Sequence, residues 1–261
     1  MAKNIKIATY NVNSIRSRLH IVIPWLERNR PDIFCMQETK VEDRKFPVNQ
    51  FRRIGYHVAF SGSKGRNGVA IASLEEPRDV KFGFDAEPKD KDRLIKAKFQ
   101  DLTVVNTYVP QGFKVESPRY EYKLEWFNRL RKFFERNMNM KEYVIWCGDM
   151  NVAPEEIDVH NPKDLRNHVC FHEKARYAFE MVRSMGFVDI FRKHNIQANQ
   201  YTFFDYRVKN AVERKIGWRV DLILASPPLA EKSINCYIDI QPRLEERPSD
   251  HTIVVAEFEL K

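Results

Sequence analysis

Short segments rich in β-branched and aromatic residues recur along the whole chain, and this recurrence constrains the fold more than any other feature. Several of the segments alternate apolar with polar residues, which is typical of β-strands. The predicted strands span residues 5–10, 33–37, 57–60, 69–72, 94–99, 102–108, 143–147, 220–225, 234–240 and 253–258. Gly/Ser-rich linkers, low-complexity stretches and clear repeats are absent from the sequence between these strands.

Three helices are predicted between the strands, over residues 19–29, 118 to about 137, and 173 to about 185. Apolar residues recur at helical spacing in the first two segments. Pro118 behind Ser117 is typical of a helix start, and Gly186 is typical of a helix end. Many strands with few helices predict an α/β sandwich of two packed β-sheets flanked by helices, as a single domain over residues 1–261.

Charge and composition narrow the possible partners. The 44 Lys and Arg residues exceed the 36 Asp and Glu residues, so the net charge is +8, which favours a polyanionic partner without requiring one. Apolar runs stay well short of the ~20 residues that span a membrane, so we expect a soluble, cytoplasmic protein with no membrane partner. The four cysteines are far apart in the sequence, and we expect them to be reduced core residues.

Polar residues stand at one end of the apolar runs at six places, after four of them and at the start of two, and these places indicate the chemistry. They are Asn11 and Asn13, Gln37 to Lys40, Asn106 to Tyr108, Asp149 and Asn151, Asp221, and Asp250 with His251. Any one of these groups fits ordinary turn chemistry at a strand end. Six together favour one polar pocket, because burying so many polar groups without a task is costly.

The carboxylates, amides, phenol and imidazole of this predicted pocket suit the binding of a hard divalent cation and the hydrolysis of a phosphodiester. Carboxylate and amide oxygens are the ligands that Mg²⁺ and Mn²⁺ prefer. A metal polarises the phosphoryl oxygen, a base activates water, and amide or phenol donors stabilise developing charge. A histidine beside an aspartate, as in Asp250-His251, fits an oriented imidazole.

Three weaker patterns leave alternatives open. His168, Cys170 and His172 resemble zinc ligands, but a fourth ligand at suitable spacing is missing from the sequence. The glycine-rich segment 61–68 fits either a phosphate-binding loop or a hairpin with a basic tip. Aromatic residues alternate with polar ones over 201–207, which fits either base stacking or buried core.

Taken together, the motifs resemble the exonuclease III family of class II apurinic/apyrimidinic endonucleases, within the endonuclease/exonuclease/phosphatase superfamily. The matching motifs are YNVN at 10–13, QETK at 37–40, KGRNGVA at 64–70, YVPQG at 108–112, GDMNVA at 148–153, FDYR at 204–207, GWRVD at 217–221 and SDH at 249–251. They follow the order of the family and cover the chain from about residue 5 to residue 258.

The resemblance implies a deoxyribonuclease I-like, four-layer sandwich with its site at one end. It also implies a DNA-repair hydrolase that depends on Mg²⁺, for which Mn²⁺ can substitute. The implied reaction cleaves duplex DNA on the 5′ side of an abasic site and leaves a 3′-hydroxyl. The family also shows 3′→5′ exonuclease activity and removal of blocking groups from 3′ ends. The implied partner is therefore duplex DNA with abasic sites or blocked 3′ ends, bound by a monomer associated with the nucleoid.

Residue roles are implied motif by motif. The metal set is Glu38 with Asn11 close beside it, together with Asp149, Asn151, Asp250 and His251. Among the catalytic residues, Asp149 activates water or protonates the leaving group, Asn151 and Tyr108 hold the scissile phosphate, and His251 contacts it, oriented by Asp250 and supported by Asp221. The DNA-contact set is Asn13, Arg16, Lys40, Lys64, Arg66, Gln111, Asn167, Phe203, Arg207 and Trp218, of which Phe203 and Trp218 line the sugar pocket.

The chain departs from the family pattern at two positions. Ser14 stands where many members carry glycine, and Phe203 stands where some carry tryptophan. Two other classes of function fit the same core: a sister hydrolase acting on inositol phosphates or sphingomyelin, and a DNA-binding protein without catalysis. The motifs at 204–207 and 217–221 with the basic charge favour DNA, and the intact Glu38, Asp149 and His251 favour an enzyme.

Overall fold

Two six-stranded mixed β-sheets form the centre of the computed structural model, which describes residues 3–260. The strands are β1 Lys3–Asn11, β2 Ile33–Gln37, β3 His57–Ser63, β4 Arg66–Ser73, β5 Arg78–Phe82, β6 Leu94–Phe99, β7 Leu102–Tyr108, β8 Tyr143–Asp149, β9 Val188–Asp189, β10 Asp221–Ala225, β11 Ser233–Asp239 and β12 Ile253–Leu260. The first sheet has the order β11-β12-β1-β2-β4-β3, and the second has the order β5-β6-β7-β8-β10-β9.

The two sheets share one pattern of strand directions. In each sheet, one central pair is parallel, β1 with β2 in the first sheet and β7 with β8 in the second. All other neighbouring strands are antiparallel. The carboxyl ends of the parallel strands lie at one edge of each sheet, and the antiparallel β10 and β12 begin at that same edge. Polar residues at these strand ends are therefore brought to one end of the molecule.

Helices surround the sheets. They are α1 Ile15–Asn29, α2 Val48–Arg53, α3 Pro118–Asn137, α4 Pro162–Leu165, α5 Glu173–Arg183, α6 Ile190–His194, α7 Pro227–Ala230 and α8 Gln241–Leu244. The start of α3 follows its sequence signal, because the Ser117 side chain accepts a hydrogen bond from the Tyr120 backbone N–H and proline occupies the first turn. Within residues 3–260, the structure has no helix with the length and apolar character needed to cross a membrane.

Alternating residues along each central strand fill different layers of the core. In β1, Ile7 packs between the two sheets, whereas Ala8 faces the helix layer formed by α1. In β2, Cys35 likewise packs between the sheets and Phe34 faces the helix layer. Behind the second sheet, Phe134 of α3 and Phe179 of α5 pack on Trp146 of β8, and Trp126 of α3 belongs to the same core. Because both faces of the sheets are covered, the four-layer α/β sandwich predicted from the sequence is confirmed.

All ten predicted strands are present, and three have the predicted bounds, Ile33–Gln37, Leu94–Phe99 and Leu102–Tyr108. Two further strands, β5 and the two-residue β9, were not predicted from the sequence. Helix α1 begins at Ile15, four residues before the predicted start, and the helix at 173 ends at Arg183 instead of about residue 185. All four cysteines are buried and free, as expected of core residues.

Candidate active site

Polar residues from both sheets meet at the edge where the parallel strands end. Asn11 pairs with Gln37 at the ends of β1 and β2, and Tyr108 pairs with Asp149 at the ends of β7 and β8. Asp221 starts β10 opposite Asp149. Strand pairing therefore fixes the spacing of these side chains, and the convergence predicted from the sequence is confirmed.

The Asn11 amide joins two carboxylates that come from different sheets. Its Nδ2 donates to Glu38 Oε1 at 2.9 Å and to Asp149 Oδ2 at 2.8 Å. One ligand atom from each of Glu38, Asp149 and His251 lies within 4.8 Å of the others. The site is thus a compact group of two carboxylates and one imidazole, built across the gap between the sheets.

His251 is oriented by Asp221, which corrects the prediction that Asp250 holds it. The Nδ1 of His251 lies 2.8 Å from Asp221 Oδ2, and its Nε2 lies 4.0 Å from Asp149 Oδ2. Asp250 turns the other way and accepts a hydrogen bond from Asn13 Nδ2 at 2.9 Å. The physical reason is that successive side chains of an extended backbone point to opposite sides.

Charge on these groups is set by burial and by their neighbours. Burial alone would lower the pKa of His251, but the carboxylates of Asp221, Asp149 and Asp250 outweigh it and raise this pKa to about 10. Burial raises the pKa of Asp149 to about 7, opposed by His251 and reinforced by Asp221 and Glu38. His251 is therefore a cation at neutral pH, whereas Asp149 is poised to exchange a proton there.

Asn151 is held by its own turn. Its backbone N–H donates to Asp149 Oδ1 at 2.8 Å, and its Nδ2 donates to Val109 O at 2.9 Å. Asn151 and Glu38 both adopt left-handed backbone angles, with φ of 48° and 50°. Asparagine tolerates this conformation better than glutamate does, so the Glu38 turn stores strain of the kind that concentrates at functional sites.

Arg93 supports Tyr108, and sequence reasoning missed it. Its guanidinium carbon lies 4.7 Å from the Tyr108 ring centroid, and its Nη2 donates to Asn67 Oδ1 at 2.9 Å. Burial raises the pKa of Tyr108 well above its ordinary value, with the Glu38 and Asp149 carboxylates adding to the effect, so its hydroxyl remains a proton donor. Arg93 is one of 44 basic residues in the sequence, with no local motif to distinguish it.

A cavity of about 440 Å³ opens beside the carboxylates. Glu38, Tyr108, Asn151, Asp250 and His251 line it together with the aromatic residues Phe203 and Trp218. The Phe203 ring centroid lies 4.9 Å from that of His251. The cavity therefore has a charged part and an aromatic part in direct contact.

Two histidines beside Trp218 complete the aromatic part, and the sequence analysis did not place them there. The His168 ring lies 4.5 Å from the Trp218 ring, between centroids, and His160 meets Trp218 edge-on at 6.1 Å. Asn167, predicted to contact DNA, does not line this cavity but a neighbouring basic pocket with Lys163, Arg166 and Arg176, among others. Its neighbour His168 lines the site cavity, and contact of Asn167 with DNA stays a prediction. His168 carried a signal only as a possible zinc ligand.

The other predicted DNA contacts divide into two groups. Gln111 and Arg207 line the cavity, and the Gln111 side-chain oxygen accepts a hydrogen bond from the Phe113 backbone N–H at 2.7 Å. Arg16 on α1, Lys64 in the turn between β3 and β4, and Arg66 at the start of β4 are exposed and lie outside the cavity wall.

Lys40 and Asn13 belong to the polar network of the site. The Lys40 ammonium lies 2.7 Å from Glu38 Oε2 and donates to Asn13 Oδ1 at 2.6 Å. Burial raises the pKa of Glu38, but Lys40 and Asn11 outweigh burial and lower it, so Glu38 is ionised. In this structure the Lys40 ammonium neutralises Glu38.

The donor set fits a hard divalent cation at Glu38 and Asp149, whose ionisable carboxylates face each other across the sheets. Two of the predicted ligands are placed differently. Asn11 presents its amide nitrogen, and its Oδ1 accepts from the Asn13 backbone N–H at 3.1 Å. His251 is within the cluster, with its Nδ1 on Asp221, whereas Asp250 is outside it. Asn11 therefore orients the two carboxylates.

Similarity to known proteins agrees with this geometry. Residues 8–251 match the model of the Endonuclease/Exonuclease/phosphatase family. Exodeoxyribonuclease III of Haemophilus influenzae is 33% identical, over 97% of this chain and 100% of that protein.

Two solved structures are similar over the same length. An AP endonuclease from Archaeoglobus fulgidus is 64% identical with a TM-score of 0.96, over 97% of this chain and 99% of that one. A 3′ phosphatase from Neisseria, bound to a product DNA hairpin, is 37% identical with a TM-score of 0.93 over the same shares. The match to the family model spans all the strand ends that build the site, so the chain belongs to the Endonuclease/Exonuclease/phosphatase family.

Proposed function

We propose that the chain is a metal-dependent DNA-repair nuclease that hydrolyses the phosphodiester on the 5′ side of an abasic site in duplex DNA. The observation that carries this proposal is the contact between the charged and aromatic parts of the cavity, where Phe203 touches His251. A phosphate beside Glu38, Asp149 and His251 would place its sugar against Phe203 and Trp218. An abasic nucleotide enters such a pocket at low cost, because it has no base pair to break.

In the proposed reaction, the oxygen of water bonds to phosphorus and the bond from phosphorus to the 3′ oxygen breaks. The products are a 3′-hydroxyl and a 5′-phosphate on the abasic sugar. Asp149 is suited to take the proton from water, because its carboxylate lies beside Glu38 and His251 at the centre of the cluster. The His251 cation and the Tyr108 hydroxyl would hold the phosphate oxygens, and Asn151 would fix its orientation. Mg²⁺ held by Glu38 and Asp149 would polarise a phosphoryl oxygen, with Mn²⁺ as a substitute.

The remaining contacts and the biological setting follow from this substrate. Arg16, Lys64 and Arg66 would meet phosphates of the duplex outside the cavity, and Arg207 would meet one at the cavity wall. We infer further activities on 3′ ends, exonucleolytic and phosphate-removing, because relatives are named for both. A monomer that acts in the cytoplasm on chromosomal DNA fits a single site built within one chain.

The test is a duplex with one tetrahydrofuran abasic analogue and a label at the 5′ end, incubated with Mg²⁺ or with EDTA. The analogue cannot undergo β-elimination, so a lyase cannot cleave it. We expect one Mg²⁺-dependent cut on the 5′ side of the lesion. A ladder of products from the 3′ end would place exonuclease activity first.

Matched variants separate an enzyme from a DNA-binding protein. Asp149→Asn should lower turnover by roughly 10³-fold or more while DNA affinity largely survives. Asp85→Asn, which changes an exposed carboxylate just after β5 that pairs with Lys81, is the control and should cleave at the wild-type rate. Absence of cleavage by wild-type protein with any divalent metal would reject the proposal. Cleavage of inositol phosphates or sphingomyelin in its place would favour a sister hydrolase.

A further inference from the structure

Lys123 of α3 is a fully buried cation beneath the site. Its exposed fraction is 0%, and its Nζ donates to three backbone carbonyls, Gln111 at 3.1 Å, Asn151 at 2.7 Å and Val169 at 2.7 Å. A lysine ammonium has three protons to donate, so its donor capacity is filled. All three donor protons of Lys123 therefore have a defined partner, although Lys123 belongs to no motif in the sequence.

A buried ammonium is costly, because it loses its hydration. Within the part of the chain that the structure describes, Lys123 forms no ion pair, and burial lowers its pKa. Arg219, by contrast, is a buried cation that contacts the carboxylates of Asp158 and Asp189. The three carbonyls are therefore the groups that bind the Lys123 ammonium, while Cys170 and Asp149 offset part of the lowering of its pKa without pairing with it.

The three carbonyls belong to three separate segments, and each segment carries side chains that line the site cavity. Gln111 lies between β7 and α3, Asn151 lies in the turn after β8, and Val169 lies between the cavity residues His168 and Cys170. Lys123 itself sits on a 20-residue helix anchored by Trp126 and Phe127 in the core. One rigid element thus holds three loops that have no helix or strand of their own.

Packing around the lysine stem confirms that the Gln111 segment lies close to it. Gly112 has φ of 98°, and a Cβ atom there would lie 3.2 Å from the Lys123 Cδ. The chain therefore passes over the lysine with little free space, in a conformation that glycine adopts without strain.

We propose that Lys123 is a positioning residue of the active site, whose ammonium clamps the three loops and sets Asn151 in place against the scissile phosphate. The inference rests on the nuclease activity proposed above. Loss of the clamp should let the Asn151 turn move, and a displacement of about 1 Å at a reacting group costs up to ~10²-fold in rate.

The test compares Lys123→Met with Lys193→Met. Lys193 on α6 also donates to a backbone carbonyl, that of Ala230, but lies outside the cavity. Both variants are assayed on the abasic duplex, and rates are corrected for the folded fraction measured by circular dichroism. We expect kcat of Lys123→Met to fall ~10- to 100-fold with Kd for the duplex within about twofold of wild type. Lys193→Met should keep its kcat.

A double-mutant cycle with Asn151→Ala distinguishes positioning from a general loss of structure. If Lys123 acts through Asn151, the double variant should cleave no more slowly than Asn151→Ala alone. Additive losses, or a kcat for Lys123→Met equal to that of Lys193→Met, would overturn the inference. Should Lys123→Met not fold, Lys123→Gln, which keeps two donor protons, enters the same cycle. An inactive wild-type protein would instead reject the proposed function.

Discussion

His251 keeps its proton at a buried position because three aspartates surround it. Burial favours the neutral imidazole, but Asp221, Asp149 and Asp250 more than reverse that effect. The raised pKa has a consequence for stability. A group whose pKa is higher in the folded state than in the unfolded state stabilises the fold at low pH, and this contribution is lost as pH rises through the folded value.

We therefore expect the free energy of unfolding, measured without metal in EDTA, to fall between pH 7 and pH 10. The His251 contribution is complete below its ordinary pKa of 6.5 and disappears near pH 10. Asp149 also makes the free energy of unfolding fall with rising pH, but at lower pH, because folding raises its pKa from 3.8 to about 7. Each proton lost contributes a slope of at most about 1.4 kcal/mol per pH unit.

Asp221→Asn removes the carboxylate that contributes most to the raised pKa and should flatten this slope. Urea unfolding of both proteins at pH 7, 8 and 9 measures the difference. Contributions common to the two proteins cancel in the difference between their slopes. Parallel slopes would show that Asp221 does not hold the proton on His251.

At the residue scale, the sequence identified the site residues that belong to recognisable motifs. It did not show which of two neighbouring side chains contacts the rest of the site. Glu38, Asp149 and His251 follow or precede clear strands, and the structure brings them together. Asp250 lines the cavity but does not contact the imidazole of its neighbour His251, and Asn167 stands next to His168, which lines the cavity in its place. One sequence does not reveal which of two adjacent polar residues points inward, because that depends on the twist and register of the finished sheet.

At the element scale, the central strands were predictable because both of their faces are buried. β2 is buried at all five positions, so its apolar run stands out in the sequence. β5 is an edge strand with exposed Arg78, Asp79 and Val80, so it has no apolar run to detect. The early start of α1 was missed because Arg16 and Ser17 are exposed and interrupt the apolar pattern.

Gly148 shows how one strand end depends on a single backbone position. It precedes Asp149 in β8, has φ of 128°, and a Cβ atom there would lie 2.1 Å from Thr107 O on β7. We expect Gly148→Ala to destabilise the protein by about 2–4 kcal/mol and to lower turnover, because β8 must shift away from β7. Thermal unfolding and the abasic-site assay measure the two effects.

Gly65 provides the matched control for this substitution. Its φ is 70°, also left-handed, but a Cβ atom at this position would have no neighbouring atom within 4 Å. Gly65→Ala carries only the conformational cost, about 1 kcal/mol. Equal destabilisation by the two substitutions would show that the close approach to Thr107 is not what makes Gly148 necessary.

At the scale of the whole molecule, the net charge of +8 predicts DNA binding that weakens with salt. Each phosphate neutralised on duplex DNA contributes about 0.9 to the slope of log K against log salt. Lys64→Gln, at the exposed turn between β3 and β4, should reduce this slope by about one. Lys132→Gln on the exposed face of α3 should leave the slope unchanged. Fluorescence anisotropy from 50 to 200 mM salt compares them, and equal slopes for Lys64→Gln and wild type would remove Lys64 from the DNA-contact set.

The site is divided between the sheets, so its geometry depends on how the sheets are joined. Glu38 follows a strand of the first sheet, whereas Asp149 ends a strand of the second. Asn106 of β7 connects them: its Nδ2 donates to Met36 O and Ala70 O at 3.0 Å each. Its Oδ1 accepts from Gln37 Nε2 at 2.7 Å, one residue before Glu38. Apolar packing between sheets allows small sliding, whereas these directional bonds fix one position.

Asn106→Leu keeps the volume of the side chain approximately but removes the partner of two carbonyls and one of the two bonds of Gln37 Nε2, which keeps its bond to Thr9 Oγ1 at 2.9 Å. We expect a loss of about 2–4 kcal/mol in the free energy of unfolding, because buried polar groups are left unpaired. Turnover should also fall about tenfold, and half-maximal activity should require more Mg²⁺, since Glu38 is no longer held in register with Asp149.

Thr107→Val is the control, because Thr107 Oγ1 accepts from Trp146 Nε1 at 2.9 Å within the second sheet. Thr107→Val should lose stability while keeping the Mg²⁺ requirement of wild type. If the Mg²⁺ requirement shifts equally in the two variants, loss of any buried hydrogen bond loosens the site. Asn106 would then not set the register between the sheets.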